Sequence, residues 1–138
     1  GGLDALSAAA EAGVDEVVIE QRKPAKTLLP ADEAERLAEP LVLFEGSVAE
    51  VVGRFPKTTN VAAAVALAGI GFERTRARVV ADPALQANAA ILHVRGAAGT
   101  LTLRLENIPS ANPRTSAIVA SSVLATIRRL RAPLVVPG

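Results

Sequence analysis

Apolar residues recur at helical spacing over the first dozen positions, where Leu3, Leu6 and Ala10 share a face, Asp4 suits the dipole at the start and Gly13 supplies a stop. Val14 to Gln21 then alternates and is rich in β-branched residues, which predicts a strand with Val17 and Ile19 on one face and Val18 on the other, ended by Arg22-Lys23-Pro24. A polar connector from Thr27 to Pro40 predicts a short helix over Ala31 to Ala38, with Asp32 and Glu33 in its first turn. Leu41 to Phe44 is a short apolar run, after which Glu45-Gly46-Ser47 begins a helix from about Val48 to Arg54 with Ser47 as its N-cap. Pro56 interrupts before a further helix, about Asn60 to Ala68.

From Glu73 to Asp82 the pattern alternates again, with Arg74, Arg76 and Arg78 opposite Thr75, Ala77 and Val79, and predicts a strand with one wetted face. Ala89 to Arg95 and Leu101 to Asn107 read as two strands joined through the hairpin-type connection Gly96-Ala97-Ala98-Gly99. The last helix runs from about Thr115 to Arg131, with Pro113 near its start and Arg128, Arg129 and Arg131 near its end, where they suit the dipole. Strands interspersed with helices, without strict β-α-β alternation, imply an α+β two-layer domain with a mixed, largely antiparallel sheet and helices on one face. The other face is expected to keep uncovered apolar positions and to form a two-fold homodimer by sheet packing.

The 138 residues suit a single domain, residues 1–138, with one core. Half of them are hydrophobic but only 2% are aromatic, so that core must be built from Ala, Val, Leu and Ile, with Phe44, Phe55 and Phe72 as its aromatic members. A net charge of +1 gives no electrostatic footprint for nucleic acid, and stacking platforms are missing. The chain has no cysteine, hence no disulfide, thiol nucleophile or zinc-thiolate cluster, which is compatible with a cytoplasmic protein. No apolar run reaches the length of a membrane span and no signal peptide is evident, so the chain reads as soluble. It begins Gly1-Gly2 and contains no methionine, which we read as upstream sequence being absent.

Candidate chemistry centres on two helix entrances, Phe55-Pro56-Lys57-Thr58-Thr59-Asn60 and Asn112-Pro113-Arg114-Thr115-Ser116. Each sets a proline, a cation and small polar side chains where a helix begins, so backbone N–H groups, the positive dipole end and a side-chain charge can converge on a carboxylate or phosphate. Taken singly, each entrance reads as an ordinary helix opener with a solvated cation. Two of the same design favour a shared acidic ligand held by Lys57 and Arg114. Asn60 either donates to a ligand amide or caps its helix, and Asn112 and Ser116 carry the same two readings. His93 is the only histidine and sits mid-strand, where a structural role is the simpler reading. Asp82 and Glu106 lie near strand ends without metal-ligand or acid-base spacing. No Gly-x-Gly-x-x-Gly turn follows a strand, so the chain has no dinucleotide-binding unit of its own.

As an ordered set, Gly1-Gly2-Leu3-Asp4-Ala5-Leu6, Arg22-Lys23-Pro24, Phe44-Glu45-Gly46-Ser47, Phe55-Pro56-Lys57 to Asn60-Val61, Ala81-Asp82-Pro83 and Asn112-Pro113-Arg114-Thr115-Ser116 closely resemble the C-terminal domain of the L-aspartate dehydrogenase family. The resemblance covers almost the whole chain and implies a fold like the C-terminal domain of glyceraldehyde-3-phosphate-dehydrogenase-like oxidoreductases. It also implies an upstream Rossmann domain that carries most of the NAD or NADP site, and oxidation of L-aspartate to iminoaspartate in NAD biosynthesis. Asn60 falls on the family's asparagine at the nicotinamide end of the cofactor, and Lys57, Asn112, Arg114, Thr115 and Ser116 fall on the substrate pocket. The family's catalytic histidine does not carry over, because Asn-x-His-Glu is replaced by Asn88-Ala89-Ala90-Ile91 and Ala90 takes its place. His93, three residues along the same strand, should point to the opposite face. The expectation is therefore weak or altered dehydrogenase activity in the full-length protein and none in the isolated chain. The alternatives are a catalytically degenerate ligand-binding or assembly module, or a dehydrogenase for another small dicarboxylate or amino acid.

Overall fold

The computed structural model describes residues 2–56, 59–106, 108 and 118–131. The described elements are α1 (Gly2–Ala12), β1 (Val14–Pro24), a 3₁₀ turn (Ala25–Thr27), α2 (Ala31–Arg36), β2 (Leu41–Ser47), α3 (Val48–Arg54), α4 (Asn60–Ala68), β3 (Arg76–Asp82), β4 (Ala89–Gly96), β5 (Gly99–Glu106) and α5 (Ile118–Arg131). The five strands form one sheet in the order β2-β3-β1-β4-β5. Only β1 and β3 run parallel; the other three pairings are antiparallel, so the sheet is mixed and largely antiparallel.

The alternation read from the sequence decides the layering. Val17 and Ile19 of β1, Ala77 and Val79 of β3, and Leu92 and Val94 of β4 face one side, where they meet Leu6 of α1, Val48 and Val51 of α3, and Ala62, Val65 and Ala66 of α4. Leu6, Val17, Val48 and Val51 are fully buried. With side chains this small, helices and sheet approach closely. Gly13, at φ +97°, turns the chain from α1 into β1, a conformation that side-chain-bearing residues rarely adopt. Its carbonyl accepts from the N–H of Ala97, 2.9 Å away, which ties this turn to the β4–β5 hairpin.

Ser47 caps α3 as expected, in a complete capping box. Its hydroxyl accepts from the N–H of Glu50 at 3.2 Å, and the Glu50 carboxylate accepts from the N–H of Ser47 at 2.7 Å. The bonds this carboxylate accepts from the Ser47 N–H, foremost, and from the Ser47 hydroxyl at 2.9 Å hold the Glu50 carboxyl below its ordinary pKa. Ser47→Ala is expected to cost about 1 kcal/mol, seen as a lower midpoint in chemical denaturation with an unchanged slope.

Several boundaries differ from the sequence reading. β1 runs on through Arg22-Lys23-Pro24 because β3 pairs alongside it to Pro24. Glu45-Gly46-Ser47 is strand, since β2 pairs with β3 up to Ser47. Glu73 to Thr75 is not: β3 begins at Arg76, and the Thr75 N–H closes a turn onto the carbonyl of Gly71. α2 stops at Arg36.

The second sheet face carries apolar and charged positions together: Val18, Val42, Val80 and Ile91 lie among Glu20, Arg22, Arg78, Glu45, His93, Thr102 and Arg104. Period-2 patterning predicts which positions share that face, but not that their charges would pair across three strands. On α5, Val123, Leu124 and Ile127 form an exposed apolar stripe.

Candidate functional site

A cleft of about 320 Å³ opens on the helix-bearing face between α4 and strands β4 and β5. Asn60, Val61, Ala64 and Val65 of α4 form one wall and Ala90, Leu92, Leu103 and Leu105 of the sheet form the other. Gly2, Leu3 and Ile19 close it. The strand register builds the sheet wall, because Ala90 lies opposite Leu105 and Leu92 opposite Leu103, so all four point the same way. Asn60 bears the only polar side chain among these lining residues. It is exposed, at the rim. A flat, weakly polar ring ending in an amide suits such a space, and a dicarboxylate does not, since ionised carboxylates need cations.

Asn60 is not the cap of its helix. Thr59 occupies that position, buried, its hydroxyl donating to the carbonyl of Phe55 at 3.0 Å while its own carbonyl accepts from Ala63 at 3.0 Å. The capping reading of Asn60 therefore gives way, and its amide is left to face solvent and cleft.

Ala90 lies in the cleft wall. His93 does not reach it. The ring is exposed on the opposite sheet face, its Nδ1 3.3 Å from the Thr102 hydroxyl. Asn60 and Ala90 are thus brought together and His93 is kept apart. Lys57, Asn112, Arg114, Thr115 and Ser116 lie outside the described residues.

Asp82 and Glu106 take structural roles. Asp82 accepts from Arg22 at 3.2 Å and from the N–H of Ala84 at 2.9 Å, and Glu106 pairs with Arg104. Asp82 is one end of a five-member chain across the second face. Asp82, Arg22, Glu20, Arg78 and Glu45 alternate in charge, with Arg22–Asp82 and Arg78–Glu20 both at 3.2 Å and Arg78–Glu45 at 3.1 Å. Burial pushes the Glu20 carboxyl up, but hydrogen bonds and charge from Arg22 and Arg78 outweigh it and leave the group below its ordinary value. The motif Arg22-Lys23-Pro24 is thereby split: Arg22 belongs to this network, and Lys23 faces the other way.

Among the described residues, no group of three or more His, Cys, Asp and Glu side chains could hold a metal ion, and no helix is long and apolar enough to cross a membrane.

A family model described as the C-terminal part of aspartate dehydrogenase matches residues 4–130. L-aspartate dehydrogenase of Methanosarcina acetivorans is 43% identical over 141 residues, which cover 96% of this chain and 52% of that protein. L-aspartate dehydrogenase 2 of Bordetella bronchiseptica is 49% identical over 134 residues, covering 93% of this chain and 50% of that protein. The crystal structure of aspartate dehydrogenase from Thermotoga maritima superposes with a TM-score of 0.81 at 36% identity, over 99% of this chain and 52% of that one. The chain thus spans about half the length of the curated relatives it matches.

Proposed function

The chain belongs to the family of aspartate dehydrogenase C-terminal domains, and we propose that it is the substrate half of an NAD- or NADP-dependent L-aspartate dehydrogenase. In this reading the full-length protein oxidises L-aspartate to iminoaspartate, a step towards NAD, as a cytoplasmic homodimer whose upstream Rossmann domain holds most of the cofactor. The observation that carries it is the placement of Asn60 at the rim of an otherwise apolar cleft whose wall contains Ala90.

The cleft residues suit a nicotinamide ring. Its carboxamide needs a donor and an acceptor, which one asparagine side chain provides, while Val61, Leu103 and Leu105 would pack on the ring and exclude water. When bound, that ring would supply the hydride acceptor. Lys57 and Arg114 would fix the substrate carboxylates, with Asn112, Thr115 and Ser116 lining the same pocket, so that the α-carbon is presented to the ring.

A second reading takes the resemblance that sets the family's histidine at position 90 together with the methyl group of Ala90 in the cleft wall: a relative that binds ligand and has lost turnover. Titration calorimetry of the full-length protein with NAD, NADP and L-aspartate, run beside a turnover assay, separates the two, because binding without turnover selects the second. For the first reading, Asn60→Ala is expected to lower kcat/KM about 10-fold or more through loss of the hydrogen bonds to the cofactor amide. The fold should be little affected, since Thr59 and not Asn60 stands at the helix cap. Unchanged cofactor affinity in that variant would remove Asn60 from the site.

A further inference from the structure

We propose that Lys23 is an anchor for a substrate carboxylate, a role that rests on the dehydrogenase reading above. Three observations place it. Along β1, Ile19, Gln21 and Lys23 point to the helix-bearing face in turn: Ile19 lines the cleft, Gln21 is paired with Ala90 of the cleft wall, and Lys23 comes next, about 7 Å further along the strand. Pairing of β1 with β4 ends at Arg22, opposite Ala89, so Lys23 stands just past the end of the wall that Ala90 belongs to. Finally, the ammonium is half-buried and makes no ion pair among the described residues. Its neighbours in register are uncharged: Ala81 beside it on β3, then Gln21 and Ala90.

A half-buried ammonium without a counter-charge is costly, and an anionic ligand is what offsets the cost. Burial alone lowers its proton affinity, as expected for a charge waiting for a partner. The apolar cleft cannot itself hold carboxylates, and Lys23, which follows the wall along β1 without lining the cleft, supplies a cation on the same sheet face. Arg22, the preceding residue, cannot do so, being committed to Glu20 and Asp82 on the other side of the sheet.

The test uses the full-length protein and its Lys23→Gln and Lys23→Arg variants. Lys23→Gln is expected to raise the KM for L-aspartate about 10- to 100-fold, with kcat changed less than about threefold and cofactor affinity unchanged. It should weaken succinate binding, measured by titration calorimetry, by the same factor. Lys23→Arg should restore most of both. A purely structural lysine would instead lose thermal stability on substitution, whereas removing an unpaired buried charge leaves stability equal or higher. Wild-type turnover with an unchanged KM and unchanged succinate affinity in Lys23→Gln overturns the anchor and leaves the dehydrogenase reading standing. A wild-type protein that turns over no aspartate overturns the dehydrogenase reading, and succinate then decides the anchor: affinity lost in Lys23→Gln upholds it, and no wild-type binding or unchanged binding overturns it.

Discussion

Ala90→His in the full-length protein is expected to raise L-aspartate turnover by about 10²–10⁴, the range typical of a positioned general acid or base. Oxidation of an amine to an imine removes a hydride from the α-carbon and a proton from the nitrogen, and no described side chain in the cleft wall can take that proton. Asn60 has no titratable group, and the other walls are aliphatic or glycine. Ala90 is buried at the boundary between the core and the cleft, and an imidazole there has the cleft of about 320 Å³ beside it to enter, so the change should fold. Ala90→Phe, of similar size but without an exchangeable proton, should show no gain. The gain should also fade as pH falls through the imidazole pKa, ordinarily near 6.5. A variant that folds, binds cofactor and aspartate, and turns over no faster than the parent would mean that proton transfer is already provided for elsewhere.

The layering was legible because the core is written in period 2 and period 3.6. Val17 and Ile19 against Val18 assign the faces of β1, and the Asn60 to Ala68 helix appears with the bounds read from its Ala/Val run. Ser47 announced its helix as an N-cap residue, and the structure adds the reciprocal bond from Glu50. Boundaries set by pairing rather than propensity were not legible. Nothing in Arg22-Lys23-Pro24 favours a strand; β3 alongside holds it extended. Nor does Glu45-Gly46 look like strand until Arg78 lies opposite Glu45.

At the site, Ala90 was singled out by the family resemblance, and the side to which His93 points followed from alternation. The cleft itself did not, because Leu103, Leu105 and Gly2 come from segments far apart in sequence and are indistinguishable from core residues until the sheet order is known. Lys23 did carry a signal: it has the same parity along β1 as Val17 and Ile19, so a charged residue was being placed on the buried face. Read as the end of a strand, it lost that meaning.

The ion-pair chain is where the largest loss of stability is expected. Glu20→Ala removes the central carboxylate, whose side chain is 10% exposed, from between Arg22 and Arg78. Removing one partner of a fully buried pair costs roughly 3–5 kcal/mol. Here the stranded arginines are 30% and 37% exposed and each keeps a second carboxylate, Asp82 or Glu45. Solvent screening therefore reduces the expected cost to about 2 kcal/mol. Because the Glu20 carboxyl is held below its ordinary value of 4.5 in the folded state, its contribution is fully present above that value and is lost as pH falls through the depressed folded value. Denaturation of wild type and Glu20→Gln should thus differ most near neutrality and converge in acid, below the ordinary carboxylate pKa. A gap that persists unchanged to low pH would assign the effect to packing of the side chain and not to its charge.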